Sequence, residues 1–178
     1  MTQFQEKTIS RKLIFRGCIV ELYVDQVQLP NGSYSTREVI KHPGAVAVIA
    51  ITPENRLVLV RQFRKALEKT ILEIPAGKLE QDEKPEACAL RELEEETGYR
   101  ASKLYHLTSF YTSPGFADEF LHIYVAEGLE KGEQQPDVDE FVELVEYDLE
   151  TCLEQMQLGL ICDAKTVAAI YYWQLQRK

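Results

Sequence analysis

The sequence is poor in the residue types that build disulfide frameworks and transition-metal sites. It has four cysteines and three histidines among 178 residues. The cysteines form no C-x-x-C pair, and the histidines (His42, His106 and His122) show no ligand spacing, so we expect the histidines to be structural. Four unpaired thiols in a chain whose N-terminus lacks an apolar secretion segment favour a reducing, cytoplasmic location.

Basic residues and long apolar runs are also scarce. There are 20 Lys and Arg against 29 Asp and Glu, which gives a formal net charge of −9. This balance argues against broad electrostatic binding to nucleic acid or to an anionic membrane surface. No segment approaches the roughly 18 apolar residues of a membrane span. We therefore expect neither nucleic acid nor membrane as a partner, whereas a small phosphorylated substrate stays compatible because a metal can bridge it to carboxylates.

The rest of the composition, 45% hydrophobic and 28% charged, is that of a globular protein with enough apolar residues for a core. Extended runs in residues 5–42, broken by a turn at Pro30-Asn31-Gly32, predict a small N-terminal antiparallel sheet. Beyond it, the patterns predict strands at 45–51, 57–62, 70–74, 103–112, 119–126 and about 141–146, helices at 85–97, about 149–158 and 164–176, and loops at 75–77 and 128–139. This order predicts an α+β fold, an α/β/α sandwich with a mixed sheet between helices.

The predicted helix 85–97 carries an unusual pattern of charge. Glu92, Glu95 and Glu96 fall at positions i, i+3 and i+4 and therefore share one face. Each like-charged pair at this spacing costs roughly 0.2–0.5 kcal/mol, and the negative end of the helix dipole also disfavours carboxylates. A bound cation would remove both penalties, and an all-oxygen ligand set suits Mg²⁺ or Mn²⁺ rather than zinc. The alternative is a solvated acidic face.

The segment 77–99 has a more specific pattern. It reads GKLEQDEKPEACALRELEEETGY and resembles the Nudix box, G-x5-E-x7-R-E-U-x-E-E-x-G-U, in which U is a bulky aliphatic residue. All seven fixed positions match, namely Gly77, Glu83, Arg91, Glu92, Glu95, Glu96 and Gly98. Only Tyr99 departs from the pattern, and it is still bulky and largely apolar. The resemblance implies the Nudix fold and a Mg²⁺-dependent hydrolase of a nucleoside diphosphate derivative, with Mn²⁺ as a substitute ion.

Three further segments, 35–48, 61–80 and 110–119, resemble the ADP-ribose pyrophosphatase branch of this family. As in that branch, a proline, Pro114, lies sixteen residues beyond Gly98. The resemblance implies hydrolysis of the diphosphate bond of ADP-ribose to AMP and ribose 5-phosphate. A nucleotide-sugar pyrophosphatase of broader preference is the alternative within the same class. A non-catalytic ADP-ribose sensor is disfavoured by the complete set of glutamates.

By the same resemblance, the metal would be held by oxygen ligands from the box and the loop before it: Ala76 (backbone carbonyl), Glu92, Glu95 and Glu96. Glu96, as a principal ligand, would also be catalytic. Glu83 and Arg91 would instead form an internal ion pair that fixes loop against helix. Gly77 would let the loop approach the metal, and Gly98 would close the helix.

The resemblance also implies a base and a set of substrate contacts. Glu140, in the acidic loop before the last strand, would activate the attacking water, with Glu119 as the competing candidate. Arg37 and Arg64 would contact substrate phosphates or ribose, because the planar guanidinium suits phosphate oxygens. The substrate-binding set is completed by residues of the matching segments, namely Glu73, Pro114 and Glu119. Glu73 would accept from adenine or from Arg64.

Residues 1–42 are interpreted as a β segment for dimerisation, and residues 43–178 as the Nudix hydrolase domain. Relatives with such an extension are homodimers that exchange the small sheet, so that each site is built from both chains. The resemblance therefore implies a homodimer acting on a small nucleoside diphosphate substrate.

Overall fold

The computed structural model describes residues 3–135 and 141–177. They form two compact units, Met1–Gly44 with Phe110–Leu121, and Ala45–Ser109 with His122–Lys178. The boundary expected between residues 42 and 43 stays a prediction. None of the described helices combines the length and the apolar character that crossing a membrane requires.

The first unit is built on a three-stranded antiparallel sheet. Its strands follow the chain order, β1 (Lys7–Arg16), β2 (Glu21–Gln28) and β3 (Tyr34–Lys41). Gly32 supplies a φ of 85° in the turn between β2 and β3, a conformation that glycine adopts without strain. A parallel bridge between Ile40 and Ala117 attaches the segment 110–121 to β3. The predicted N-terminal antiparallel sheet is therefore confirmed.

The second unit is built on two sheets. Their strands are β4 (Ala45–Ala50), β5 (Leu57–Arg64), β6 (Lys69–Glu73), β7 (Ala76–Lys78), β8 (Tyr99–Tyr111), β9 (Phe120–Lys131) and β10 (Val142–Tyr147), of which β8 and β9 each place one end in the first unit. One sheet has the order β10-β5-β6, and the other has the order β7-β4-β9-β8. Every residue of β4 is buried, which fits its uninterrupted run of Val, Ile and Ala.

Three helices complete the second unit, α1 (Pro85–Thr97), α2 (Leu149–Gln157) and α3 (Ala164–Gln176). Helix α1 begins with Pro85 at its first turn and ends at Gly98, whose φ of 73° closes the helix. Helices α2 and α3 are capped by the side chains of Asp148 and Asp163, each of which accepts a backbone N–H three residues on.

Helix α1 is fixed by its packing on the sheets. Ala89 and Leu93 form one buried row on the helix and are fully buried, as are Val46 and Val48 of β4 in the same core cluster. Burying a side chain of the size of Leu93 contributes roughly 1.5–3 kcal/mol. The neighbouring row of α1 consists of Cys88, Glu92 and Glu96, and it is buried as well. The packing of α1 thus turns two glutamates towards the protein interior.

The α+β class is confirmed, and the structure corrects two local expectations. Strand β9 continues to Lys131, so the loop expected from residue 128 begins later. The expected loop at 75–77 contains the start of β7, because Ala76 and Gly77 pair with Ala47 and Val46 of β4. Backbone pairing with a distant strand decided this point, and the local turn residues could not show it.

Candidate active site

Glu92 and Glu96 lie one helical turn apart on the buried side of α1. Only 8% of Glu92 and 2% of Glu96 is exposed, although carboxylates are rarely buried without compensation. One oxygen of Glu96 accepts the backbone N–H of Ala76 at 2.9 Å, which joins the helix to the start of β7. The structure therefore brings together Glu92, Glu96 and the Ala76 backbone.

The Glu92 carboxylate lies in direct contact with Gly77. A Cβ placed on Gly77 would lie 1.8 Å from Oε1 and 2.4 Å from Oε2 of Glu92. No side chain fits in that space unless the carboxylate moves, so glycine is needed here for close approach. The lack of a side chain at residue 77 thus lets the Glu92 carboxylate lie directly between β7 and α1.

Arg91 joins the loop before α1 to the acidic face of the helix. Its Nε and Nη2 donate to the two oxygens of Glu83 at 2.9 and 3.1 Å, and its Nη1 donates to Glu92 and Glu95 at 2.8 Å each. The hydrogen bonds from Arg91 lower the pKa of Glu83 to about 2, and the same contacts raise the pKa of Arg91. Arg91 is therefore held as a cation that balances the glutamates beside it.

Glu94 is separate from this group. Its carboxylate accepts from Nε of Arg100 at 2.7 Å on the exposed side of the helix. Helical geometry thus places the four residues 93–96 on different sides of α1. Leu93 lies in the core and Glu94 in a surface ion pair, whereas Glu96 faces inward and Glu95 lies beside it. Glu94 supplies a natural comparison for the inward-facing glutamates.

The carboxylates of α1 suit a hard cation by their chemistry. In the described part of the chain, no three Asp, Glu, His or Cys side chains are arranged closely enough to hold a metal as they stand. Arg91 lies between two of these carboxylates, because its Nη1 bonds both Glu92 and Glu95. The all-oxygen donors, with the Glu92 carboxylate directly beside Gly77, fit a divalent ion, which Nudix ADP-ribose pyrophosphatases generally use.

Arg64 and Glu73 form an ion pair at the ends of β5 and β6. Nε of Arg64 donates to Glu73 Oε2 at 2.5 Å, and Glu73 is only 3% exposed. No acceptor within residues 3–135 and 141–177 is bonded to Nη1 or Nη2 of Arg64. These two nitrogens are therefore available to an anion.

Arg37 is engaged differently. Its Nε and Nη2 donate to Glu6 at 2.9 and 2.6 Å, and Nη1 donates to Ser35 Oγ and to the Thr36 carbonyl. All three nitrogens of the guanidinium thus have partners within the first unit. A substrate contact by Arg37 would require these bonds to be exchanged.

The other expected substrate residues also lie in the first unit. Pro114 is exposed at the start of a turn in which Phe116 and Ala117 N–H groups donate to the Ser113 carbonyl. Glu119 accepts from Thr112 Oγ1 at 2.5 Å. Glu140, the expected base, lies outside the described residues.

One contact at this site was not foreseen from the sequence. Lys165, in the first turn of α3, donates to Glu73 Oε1 at 2.6 Å and to Asp163 Oδ1 at 3.0 Å. Lys165 and Glu73 are 92 residues apart, and no local pattern links them. Only the folded chain, which brings the start of α3 to the end of β6, reveals the pair.

The three histidines contact neighbouring polar groups. His106 and His122 both hydrogen-bond Ser109 Oγ, at 2.7 and 2.8 Å, and burial together with the neighbouring His106 lowers the pKa of His122. Nδ1 of His42 accepts the N–H of Gly44 at 3.1 Å. Nε2 of His42 also lies 3.8 Å from Oε1 of Glu119, and the structural role expected for the three histidines stays a prediction.

Most of the chain matches known domain families. Residues 41–164 match the NUDIX domain, and residues 6–40 match the nucleoside diphosphate sugar hydrolase N-terminal domain. A crystal structure of an ADP compounds hydrolase has the same fold, with a TM-score of 0.82 and 21% identity over 94% of this chain and 91% of the other.

Two curated relatives are similar over nearly the whole chain. An ADP-ribose pyrophosphatase of Bacillus subtilis (strain 168) is 56% identical over 99% of this chain and 96% of its own length. A methanol dehydrogenase activator of Bacillus methanolicus is 58% identical over 97% of this chain and 95% of its own. With a family match over residues 41–164, a complete box on α1 and these relatives, the chain belongs to the Nudix family.

Proposed function

We propose that this protein hydrolyses the diphosphate bond of ADP-ribose to AMP and ribose 5-phosphate, with Mg²⁺ as the metal and Mn²⁺ as a substitute. The observation that carries the proposal is the group formed by Glu92, Glu96 and the Ala76 backbone beside Gly77. Its donors are oxygens, as Mg²⁺ requires. The relative with 56% identity bears the name of this activity.

The metal site would be held by Ala76 (backbone carbonyl), Glu92, Glu95 and Glu96. When bound, Mg²⁺ neutralises phosphate charge and lowers the barrier to attack by water. Arg91, which forms two hydrogen bonds to Glu83, would keep these ligands in place. Replacing either partner of this pair would therefore disturb the ligands indirectly.

The attacking water also needs a group that takes its proton. Glu140 is our first candidate because it precedes β10, and β10 pairs with β5, which carries Arg64. Glu119 is the second candidate. Turnover of Glu140→Gln and Glu119→Gln distinguishes them, since only the loss of the base should lower kcat by about a hundredfold or more. Full kcat in Glu140→Gln would transfer the role to Glu119.

Arg64 would bind a phosphate group of the substrate. Its Nε is anchored to Glu73, whereas Nη1 and Nη2 have no acceptor among the described residues. A guanidinium held in this way offers two parallel donors, which match the oxygens of a phosphate. We propose Glu73 as the residue that orients Arg64, and Arg37 and Pro114 as further substrate contacts.

A nucleotide-sugar pyrophosphatase of broader preference is the second candidate. Residues 6–40 favour it, because they match a domain described for nucleoside diphosphate sugar hydrolases. The relative described as an activator has a similar identity to the one described as a pyrophosphatase, so identity alone does not separate catalysis from regulation. The complete carboxylate set favours catalysis over a silent sensor.

A substrate panel tests the proposal. With Mg²⁺ present, kcat/KM is measured for ADP-ribose, a nucleoside diphosphate sugar such as UDP-glucose, a dinucleoside polyphosphate and a nucleoside triphosphate, with products identified by chromatography. We expect ADP-ribose to be preferred by at least about tenfold, which corresponds to 1.4 kcal/mol in transition-state binding. Equal or faster hydrolysis of the others would refute the ADP-ribose assignment. Chelation of the metal should abolish turnover, and added Mg²⁺ should restore it.

We further propose a cytoplasmic homodimer that uses the N-terminal sheet. All ten residues of β1 are exposed, among them Ile9, Leu13 and Phe15. A strand with a free edge and apolar side chains is suited to pairing with a second copy. Light scattering coupled to size exclusion should give twice the mass of the chain, 20.5 kDa, and a monomer at micromolar concentration would refute the dimer.

A further inference from the structure

A chain of four charged side chains links β5 to the N-terminus of α3. Arg64 donates to Glu73 Oε2 at 2.5 Å, Lys165 donates to Glu73 Oε1 at 2.6 Å, and Lys165 also donates to Asp163 at 3.0 Å. The side chains of Glu73 and Lys165 are 4% and 13% exposed, so the middle of this ion chain is largely shielded from water, whereas the Arg64 side chain at its end is 38% exposed. Buried charges of this kind require partners, because an unpaired one is costly.

The two oxygens of Glu73 are divided between two cations. Lys165 bonds Oε1, and Arg64 bonds Oε2 through Nε alone. Arginine and carboxylate commonly pair through two parallel hydrogen bonds. Arg64 is thus held by one bond where its geometry would allow two.

Other arginines of this chain show the two-bond arrangement. Nε and the terminal Nη2 both donate to a single carboxylate in the pairs Arg11–Asp25, Arg37–Glu6 and Arg91–Glu83. In two other pairs, Arg16–Glu21 and Arg100–Glu94, the arginine bonds only one carboxylate oxygen. In the Arg64–Glu73 pair, the oxygen that a second bond from Arg64 would use accepts from Lys165.

We infer that Lys165 is a positioning residue that keeps Nη1 and Nη2 of Arg64 available to a phosphate of the substrate. It does so by occupying Glu73 Oε1, which would otherwise take a second hydrogen bond from Arg64. This inference rests on the proposed role of Arg64 in substrate binding. Lys165 itself lies just beyond the residues that match the NUDIX domain, 41–164.

The Lys165→Met variant tests this role, because it removes the charge and keeps the length of the side chain. Arg64 should then bond both oxygens of Glu73, which would leave fewer of its nitrogens to bind the substrate phosphate. We expect KM for the hydrolysed nucleoside diphosphate to rise at least tenfold, with kcat within about threefold of wild type. Lys69→Met is the matched control, since Lys69 begins β6 but contacts the Gly159 carbonyl instead of Glu73. Its KM should stay within twofold.

A double-mutant cycle shows whether Lys165 acts through Arg64. If it does, Lys165→Met should change KM by less than twofold in an Arg64→Ala background. A purely structural role of Lys165 would instead raise KM by the same factor in both backgrounds. Thr166→Val is the control for docking of α3, because the Thr166 hydroxyl accepts the Ile74 N–H and only the backbone N–H of Thr166, which the substitution keeps, bonds Asp163 of the ion chain. We expect it to lower the melting temperature and to leave KM within twofold.

A crystal structure of Lys165→Met gives an answer that does not depend on turnover. We expect both Nε and one Nη of Arg64 to lie within hydrogen-bond distance of Glu73. Two results would overturn the inference. One is that Arg64 keeps its single bond to Glu73 in the variant; the other is that Lys165→Met raises KM by the same factor with Arg64 and with Arg64→Ala. If wild-type protein hydrolyses no nucleoside diphosphate, the proposed function fails, whereas the geometry of Arg64 in the variant still decides the role of Lys165.

Discussion

The Cα of Gly77 lies against the carboxylate of Glu92, so closely that a Cβ on residue 77 would sit 1.8 Å from Glu92 Oε1. This relationship links a loop residue to a buried acid on α1. Glycine is required here because any side chain would clash with Glu92. Its backbone conformation does not require glycine, since Gly77 has no positive φ. The Glu92 carboxylate can therefore take its place only because residue 77 of the box is glycine.

Gly77→Ala should displace the Glu92 carboxylate and leave the fold intact. The added methyl group meets the end of a side chain, which can move by rotation, so the cost falls on the site. A misplacement of about 1 Å can reduce turnover roughly a hundredfold, and we expect a loss of that size in kcat/KM. The measurement is steady-state hydrolysis of ADP-ribose beside circular dichroism. Wild-type activity in Gly77→Ala would show that the position of Glu92 is unimportant.

The helix that carries the site could be predicted from local chemistry. Pro85 and Gly98 fix the start and the end of α1 through their own backbone preferences, and the helix observed is Pro85–Thr97. The spacing of Glu92 and Glu96 predicts a shared face, and the structure places both in one buried row. These features depend on residues within one helix and its caps.

Contacts between distant segments could not be predicted in the same way. The sequence does not show that Glu6 pairs with Arg37 across 31 residues, or that Lys165 reaches Glu73 across 92. Both pairs result from the packing of whole strands and helices, for which the identity of a single charged residue carries little information. The start of β7 within an expected loop has the same origin, since it depends on pairing with β4.

Tyr99 should make stability depend on pH in the alkaline range. Burial, followed by its hydrogen bond to Glu146, raises the pKa of Tyr99 from 10.0 to about 12. Because the folded-state pKa is raised, the stabilisation is complete below pH 10 and is lost as the pH rises towards 12. Two pKa units correspond to about 2.7 kcal/mol, of which about 2 kcal/mol should be lost by pH 11.5.

Urea unfolding of wild type and Tyr99→Phe at pH 9 and pH 11.5 measures this effect. Burial also raises the pKa of Cys88 and Cys152 to about 12, so part of the wild-type loss comes from these thiols. The comparison with Tyr99→Phe isolates the tyrosine, since the thiols are common to both proteins. A stability difference between the two proteins that is the same at both pH values would contradict the assignment.

The four cysteines should divide into two reactive and two protected thiols. Cys18 and Cys162 are exposed, whereas Cys88 and Cys152 are fully buried. The thiolate is the reactive form, and burial disfavours it. Intact mass spectrometry after iodoacetamide at pH 8 should show two added groups on the folded protein and four in urea. Rapid labelling of Cys88 or Cys152 in the folded protein would contradict the described packing.

The central claim is that the inward-facing carboxylates of α1 support metal-dependent hydrolysis, and Glu96→Gln compared with Glu94→Gln tests it most directly. Glu96 is 2% exposed and bonded to the Ala76 N–H, whereas Glu94 forms a surface pair with Arg100 that is worth about 0–1 kcal/mol. With Mg²⁺ and ADP-ribose, we expect kcat of Glu96→Gln to fall about a hundredfold or more and that of Glu94→Gln to stay within twofold, with similar melting temperatures. Near-normal turnover in Glu96→Gln, or equal losses in both variants, would contradict the claim.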